Sequence, residues 1–225
     1  MESMAEPRRY RLLCPIARAL DRIGDRWTLL ILRDLHAGPA RFSELREGLS
    51  GIATNLLTDR LRQLAADGLI EQAEGAHGVT VYRLTELGQR TRAILFELAL
   101  FGGRFAPDEA PRKPGNLRTV AVTLSSAAQR VVRPDDDVTA VIRIDSEPYT
   151  LTARDGRVTM VAGDTDTPDV IVDTSYEPLL AVADGALARE AFLRDHARFT
   201  VNRPGKDAAL MDLMGRAMAV FRAEV

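Results

Sequence analysis

The chain has 225 residues, enough for one large domain or two of ordinary size. Its composition, 46% hydrophobic and 28% charged residues with a net charge of −2, is normal for a soluble protein, and no apolar run is long enough to predict a membrane span. One cysteine excludes an internal disulfide, and the first residues lack the apolar core of a signal peptide, so we expect a cytoplasmic protein.

The net charge hides an asymmetry. Residues 8–105 hold 15 arginines against 11 acidic residues, whereas residues 117–225 hold 13 basic residues against 17 acidic ones. A phosphate backbone attracts the first half and not the second. The difference is modest, and taken alone it does not predict nucleic-acid binding.

Three helices are predicted before residue 50. Residues 15–24 place apolar side chains at helical spacing, and residues 25–38 form a denser apolar helix with Asp25 as its cap. A short helix then begins in the segment RFSEL, with Ser43 as its predicted N-cap. Arg41 lies close to that helix start, where a phosphate group is favoured.

The helix at residues 53–66, ATNLLTDRLRQLAA, organises the first half. Its apolar residues, with those flanking it, lie on one side: Ile52, Leu56, Leu57, Leu61, Leu64 and Leu69. The other side carries hydrogen-bonding groups that reach base edges and phosphates: Thr54, Asn55, Thr58 and Arg62. Alone, this pattern favours an ordinary surface helix, but its neighbours favour a DNA-reading helix.

A β-hairpin and a long helix complete the first half. Strands at 69–72 and 79–84 enclose a glycine-bracketed tip that carries His77. Helices followed by a hairpin are the order of a winged helix-turn-helix domain. From Thr85 one long helix carries an apolar stripe, which predicts either a dimer seam or a cover for the domain's own core: Leu87, Ile94, Leu95, Leu98 and Phe101.

From about Cys14 to about Phe101 the chain resembles the HxlR-type family of bacterial transcription regulators, relatives of the MarR winged-helix proteins. The matching segments are DRIGDRWTLLILRDL, RFSEL, TNLLTDRLRQLAADGLI and VYRLTELG. The resemblance implies a homodimer on a pseudo-palindromic operator in double-stranded DNA. It implies groove reading by Thr54, Asn55 and Thr58, phosphate contacts by Arg41 and Ser43, and a wing that contains His77.

Cys14 stands at the family's recurring N-terminal cysteine position, which senses electrophiles or oxidants in some members. Nearby arginines favour the thiolate that such a redox site needs. The alternative, which we favour, is a small buried apolar residue.

Composition changes after residue 105. Residues 106–116, APDEAPRKPGN, have the prolines and charges of a linker. Residues 117–132 favour a helix over a strand, and four short alternating segments with turn signals follow. Two helices, a strand and a terminal helix complete the chain.

That succession resembles the sterol-carrier-protein fold over residues 117–221. In that fold a sheet and its helices enclose an apolar tunnel for hydrophobic molecules. Candidate lining residues here are Phe192, Met211, Met214, Met218 and Phe221, although such residues more often belong to an ordinary core.

Neither half carries a catalytic signature, so we expect no enzyme, no cofactor and no metal. The three histidines lie in separate segments, and no phosphate-binding loop or metal-ligand spacing occurs. The run Asp135-Asp136-Asp137 is a candidate carboxylate cluster for a metal, but a solvated turn is the favoured interpretation.

The sequence therefore predicts an α+β protein. A winged helix-turn-helix domain covers residues 1–105, a linker covers 106–116, and a sterol-carrier-like domain with a mainly antiparallel sheet covers 117–225. We expect a dimeric DNA-binding regulator, a repressor, that releases DNA when a small apolar ligand binds the second domain. Two alternatives stay open: a thiol-based sensor with a structural second domain, and a lipid carrier whose first half does not bind DNA.

Overall fold

A computed structural model describes residues 10–105, 116–183 and 185–224. The chain forms two compact units. Unit 1 extends to Leu35 and resumes over Pro39–Gln89, whereas unit 2 comprises His36–Gly38 and the chain from Arg90 onward. Helices and strands occur in both units, which confirms the α+β class.

The domain boundaries predicted from the sequence stay predictions. Of the predicted linker, residues 106–115 lie outside the described part of the chain. The compact units are divided at Gln89–Arg90, earlier than the predicted end of the first domain.

Unit 1 is built from short helices and one β-hairpin, at the predicted positions. Its elements are α1 (Pro15–Ile23), α2 (Thr28–His36, whose last residue is counted with unit 2), α3 (Phe42–Gly48), α4 (Thr54–Ala66), β1 (Ile70–Glu74), β2 (Thr80–Leu84) and α5 (Glu86–Gln89).

The apolar side of α4 provides much of the core of unit 1. Leu57, Leu61 and Leu64 are at most 2% exposed. Each such leucine contributes about 1.5–3 kcal/mol through removal from water. The burial fixes which side of α4 faces outward.

Asp25 connects two helices of unit 1. Its Oδ1 accepts the Trp27 and Thr28 backbone N–H groups at 2.7 and 3.2 Å, which caps the start of α2 as predicted. Its Oδ2 lies 2.7 Å from Nε of Arg60, on α4. At the far end of α4, Arg22 of α1 pairs with Asp67 at 2.6 Å. Ion pairs therefore anchor α4 at its middle and at its C-terminal end.

The hairpin is joined to the rest of unit 1 through β2. The two strands pair antiparallel from Ile70–Leu84 to Glu74–Thr80. Ala40 and Tyr82 exchange backbone hydrogen bonds at 3.0 and 2.8 Å, so the residue that precedes α3 by two positions extends the hairpin.

Two sequence-based predictions for unit 1 are wrong. The N-cap of α3 is Arg41 and not Ser43, because the Glu44 carboxylate reaches back to the Arg41 backbone N–H at 2.7 Å. The helix from Thr85 is not continuous, because a turn at Arg90 separates α5 from the next helix. A Cβ on Gly88 would lie 2.0 Å from the Leu69 carbonyl oxygen, so close packing against the hairpin holds α5 in place.

Unit 2 contains a five-stranded sheet and its helices, again at the predicted positions. Its elements are α6 (Thr91–Gly102), α7 (Arg118–Val131), β3 (Val138–Ile144), β4 (Glu147–Arg154), β5 (Arg157–Ala162), β6 (Val170–Thr174), α8 (Tyr176–Ala183), α9 (Arg189–Asp195), β7 (Arg198–Val201) and α10 (Lys206–Glu224).

The sheet has the order β5-β4-β3-β6-β7, and β3–β6 is its one parallel pair within the described residues. The remaining pairs are antiparallel, so the predicted mainly antiparallel sheet is confirmed. Helices α7 and α10 pack on each other and on the sheet around a continuous apolar core. The likeness to the sterol-carrier fold stays a prediction.

The segment His36–Gly38 is held inside unit 2 by backbone and side-chain hydrogen bonds. The Ala37 carbonyl oxygen accepts the Ala162 N–H at 2.7 Å, and Nε2 of His36 lies 2.9 Å from Oγ1 of Thr91. His36 is 4% exposed. Burial and the nearby charge of Arg92 lower the pKa of His36 from 6.5 to about 4.

We expect the substitution Asp25→Ala to lower the free energy of unfolding by about 1–2 kcal/mol, because it removes the cap of α2 and the ion pair with Arg60. Urea unfolding followed by circular dichroism measures the change. Glu47→Ala, which removes an exposed carboxylate from α3, is the control and should change the value by less than about 0.5 kcal/mol. Equal effects of the two variants would contradict the anchoring role of Asp25.

We expect acid to destabilise the protein through His36. The unfolded chain takes up a proton near pH 6.5 and the folded chain only near pH 4, so the free energy of unfolding falls as pH decreases between these values. At pH 5 the loss relative to pH 7.5 is about 2 kcal/mol. His36→Gln should lack this share of the loss, whereas His196→Gln, at an exposed position, should retain it. Urea unfolding at pH 7.5 and pH 5 measures the change in the free energy of unfolding for the wild type and both variants.

Candidate functional site

The outward side of α4 displays the four polar residues singled out in the sequence. Thr54, Asn55 and Arg62 are exposed, and Thr58 is half-buried. At about 100° per residue, these four side chains fall within a sector of roughly 100° on the helix surface. The sector borders the buried leucine side, so the face is held rigidly by the core of unit 1.

Their hydrogen bonds are local. Oγ1 of Thr58 donates to the Thr54 carbonyl oxygen at 2.9 Å, and Oδ1 of Asn55 accepts the Leu56 N–H at 2.9 Å. The guanidinium of Arg62 lies 3.3 Å from Asp59 in a pair that is exposed on both sides. Such pairs are weak and exchange readily with water or another anion. The amide NH₂ of Asn55 and the guanidinium of Arg62 therefore remain suited to base edges and phosphates.

Arg41 and Ser43 lie at the start of α3, and both are exposed. The Arg41 guanidinium is paired with Glu44 at 2.8 Å, with both side chains at least one-third exposed. A phosphate contact by Arg41 requires exchange of this surface pair. The assigned DNA-contact roles of both residues stay predictions.

His77 occupies the tip of the hairpin, as predicted, in a 3-10 turn formed by Ala76–Gly78. Its φ of 59° places it in the left-handed region, and its side chain is exposed. Arg83, which was not predicted as a contact residue, is exposed on β2 and pairs with Glu71 across the hairpin at 2.7 Å. The alternation of β2 was the available signal for a basic side chain on this surface.

Cys14 is exposed in the single chain, so its predicted burial is wrong. It precedes Pro15, and its carbonyl oxygen accepts the Arg18 N–H at 3.1 Å as α1 begins. A position just before a helix leaves the side chain outside the packed helix faces. Thiol sensing stays a prediction.

Unit 2 contains a cavity of about 1170 Å³ between the sheet and its helices. Strands β3, β6 and β7 form one wall, and residues of α6 to α10 form the others. Most of the lining is apolar. A cavity of this size exceeds the usual 300–1,000 Å³ of sites for drug-sized ligands.

All the pocket residues proposed from the sequence line this cavity: Phe192, Met211, Met214, Met218 and Phe221. Flexible thioether side chains adapt to ligands of differing shape. Their role in ligand binding stays a prediction. Sequence reasoning missed Arg189, a lining residue at the start of α9, where a charged side chain is normally solvated.

Helix α6 presents an apolar face outward and another face to the cavity. Ile94, Leu98 and Phe101 are 42%, 44% and 62% exposed. Ala99 and Gly103 line the cavity instead, on roughly the opposite side of the helix at about 100° per residue. Of the two interpretations of the predicted stripe, cover for the protein's own core is therefore wrong for these three residues.

The aspartate run before β3 takes part in ion pairs. Asp136 pairs with Arg216 of α10 at 2.8 Å, and Asp137 pairs with Lys206 at 2.8 Å and Arg154 at 3.1 Å. These pairs link the sheet to the terminal helix. Residues 10–105, 116–183 and 185–224 contain no grouping of three or more metal-ligating side chains.

No helix in the described part of the chain combines the length and the apolar composition that crossing a membrane requires.

Comparison with known proteins gives one consistent family. A family model described as HxlR-like helix-turn-helix matches residues 22–110. An HTH-type transcriptional regulator of Synechocystis is 33% identical over 101 residues, which are 44% of this chain and 74% of the relative. Another, from Bacillus subtilis, is 37% identical over 89 residues, which are 39% of this chain and 75% of the relative.

A third HTH-type transcriptional regulator, from Mycobacterium bovis, is 38% identical over 94 residues. The match covers 41% of this chain and 59% of that relative. The chain thus spans little more than half the length of this relative.

Proposed function

Because this chain belongs to the HxlR family of helix-turn-helix proteins, we propose that it is a transcription regulator that binds double-stranded DNA through α4 and the β1–β2 hairpin. One observation carries the proposal: three of the four polar residues of α4 are exposed and the fourth is half-buried, while the leucines on its other side are at most 2% exposed. A helix fixed in this way fits the major groove as a rigid body.

The roles we assign follow from the chemistry of each side chain. Asn55 donates and accepts towards base edges, Thr54 and Thr58 contact bases or sugars, and Arg62 neutralises a phosphate. Arg41 and Ser43 contact the backbone, and His77 approaches the flanking groove. The excess of basic residues in 8–105 favours the approach to DNA.

We further propose that the regulator acts as a homodimer joined through α6. The exposed residues Ile94, Leu98 and Phe101 form an apolar strip that a single chain leaves in water. A twofold-symmetric pairing of this strip buries it and brings two α4 helices to a pseudo-palindromic operator. Binding requires the two helices to be about 34–36 Å apart, one turn of DNA.

Ligand control follows from the two faces of α6. A molecule in the cavity contacts the Ala99 and Gly103 side, and the partner subunit contacts the opposite side. A ligand that favours a displaced α6 therefore changes the spacing of the reading helices and releases the operator. We propose on this basis a repressor that an apolar effector inactivates.

We expect Asn55→Ala to weaken binding to a duplex selected by the wild-type protein from a random library by roughly 5- to 150-fold, the cost of one base contact. Affinity for an unrelated duplex should hardly change. Arg62→Ala should weaken both and make the dependence on salt less steep. Fluorescence anisotropy at several salt concentrations measures each value.

Gln63→Ala is the matched control, because it removes an amide from the same helix outside the proposed reading sector. Its affinity should stay within about 2-fold of the wild type. If Asn55→Ala and Arg62→Ala behave like this control, α4 does not read DNA, and the lipid-carrier alternative gains support.

We expect Leu98→Glu to convert the dimer into monomers, because a charge would be buried in the apolar seam. Operator affinity should fall with it. Val201→Glu, at an equally exposed apolar position on β7, should leave the dimer intact. Sedimentation velocity at micromolar concentration measures both. A wild-type protein that sediments as a monomer under these conditions would contradict the dimer.

A further inference from the structure

A charged group, the guanidinium of Arg189, lies in the wall of the apolar cavity of unit 2. Among the described residues that line it, Arg189 alone carries a charged side chain. The neighbouring lining residues on α9 and α10, such as Phe192 and Met214, are apolar. A guanidinium in this position can bind a negatively charged group of a ligand.

The Arg189 guanidinium is positioned by α10. Its Nη2 donates to the Met211 carbonyl oxygen at 3.2 Å. A Cβ built on Gly215 would lie 2.5 Å from Nη1 of Arg189, so the absence of a side chain at Gly215 makes the room that the guanidinium occupies. The charged group therefore lies against α10.

Within the described residues Arg189 makes no ion pair and donates one hydrogen bond to the protein. This contrasts with Arg194 on the same helix, which pairs with Asp195 at 2.8 Å. The planar fork of a guanidinium has five donors and matches a carboxylate in a bidentate geometry. A half-buried cation beside apolar walls favours an anionic headgroup over a neutral one.

A second polar atom in the wall points the same way. Oγ1 of Thr174, at the end of β6, is buried and makes no hydrogen bond within the described residues. Buried polar atoms in proteins are normally satisfied by protein, water or ligand. The cavity is thus mostly apolar, but Arg189 and Thr174 in its wall can form hydrogen bonds with a ligand.

We propose that the cavity binds a long-chain carboxylic acid as its anion, with the carboxylate on Arg189 and the hydrocarbon chain along the methionine and phenylalanine side chains. The effector role of this molecule rests on the ligand control proposed above, whereas its binding does not. At about 30 Å³ per non-hydrogen atom, hexadecanoate would fill roughly half of the cavity.

Calorimetric titration of the delipidated full-length protein tests the assignment. The probes are hexadecanoate and hexadecan-1-ol, which share a chain and differ in headgroup charge. We expect Arg189→Gln to raise the Kd for hexadecanoate by about 10- to 100-fold, the range for a charge-assisted contact, and to change the Kd for the alcohol by less than about 2-fold.

Arg194→Gln is the matched control, since it removes an arginine from the same helix at an exposed position that does not line the cavity. It should leave both affinities unchanged. Equal losses for acid and alcohol in Arg189→Gln would give Arg189 a structural role only and overturn the proposal. So would unchanged binding of the acid, or no binding of hexadecanoate to the wild type.

Operator affinity measured with and without hexadecanoate separates the two proposals. If the acid binds through Arg189 but DNA affinity does not change, the ligand control fails and the carboxylate site stands. If DNA affinity falls in the wild type and not in Arg189→Gln, both stand.

Discussion

The carboxylate of Asp25 defines the geometry of unit 1. One oxygen accepts hydrogen bonds from backbone N–H groups at the start of α2, and the other forms an ion pair with Arg60 in the middle of α4. A single short side chain thus connects α2 with α4, the proposed reading helix. The pair between Arg22 and Asp67 adds a second point of attachment, at the C-terminal end of α4. Rigid presentation of this kind is what groove recognition requires.

In unit 2, helix α6 lies between the cavity and the exposed apolar strip of Ile94, Leu98 and Phe101. It packs on α7, with Phe96 buried at 2% exposure and edge-on to Phe221 at 5.6 Å. Phe105, just past its end, lines the cavity and also contacts the exposed ring of Phe101 at 5.1 Å. Apolar side chains therefore run without interruption from the cavity to the proposed dimer seam. This continuity supports the proposed linkage between a ligand and the dimer.

Most of the fold could be predicted from the sequence because a buried helix or strand face requires apolar residues at regular spacing. Helices can be predicted from apolar residues at spacings of three and four, without tertiary information. Strands can be predicted in the same way from alternating residues and Asp-Gly turns. The break at Arg90 was missed because Leu87 and Ile94 keep helical spacing across it. The cap of α3 was missed for a related reason: Glu44 supplies the acceptor, so the helix begins earlier than the serine suggests.

The candidate sites also differ in whether a local pattern or a long-range contact defines them. The polar sector of α4 follows from helical geometry, so its residues could be named in advance. The existence of the cavity depends on which helix faces meet, so from the sequence the pocket residues were identifiable only as apolar side chains on α9 and α10. Arg189 was missed because its position over Gly215 is set by α10, which no local pattern reveals. The exposure of Cys14 likewise depends on where the chain enters α1.

The parallel pairing of β3 with β6 has a consequence for the order in which unit 2 is assembled. Strands β3, β4 and β5 are joined by tight turns at Asp145-Ser146 and Asp155-Gly156, so their contacts are local and form early. The Ala140–Val170 pairing closes a loop of about thirty residues, and closure of such a loop carries an entropy cost. Strands β6 and β7, which form part of the cavity wall, therefore join the sheet through pairings of longer sequence separation than those of β3, β4 and β5.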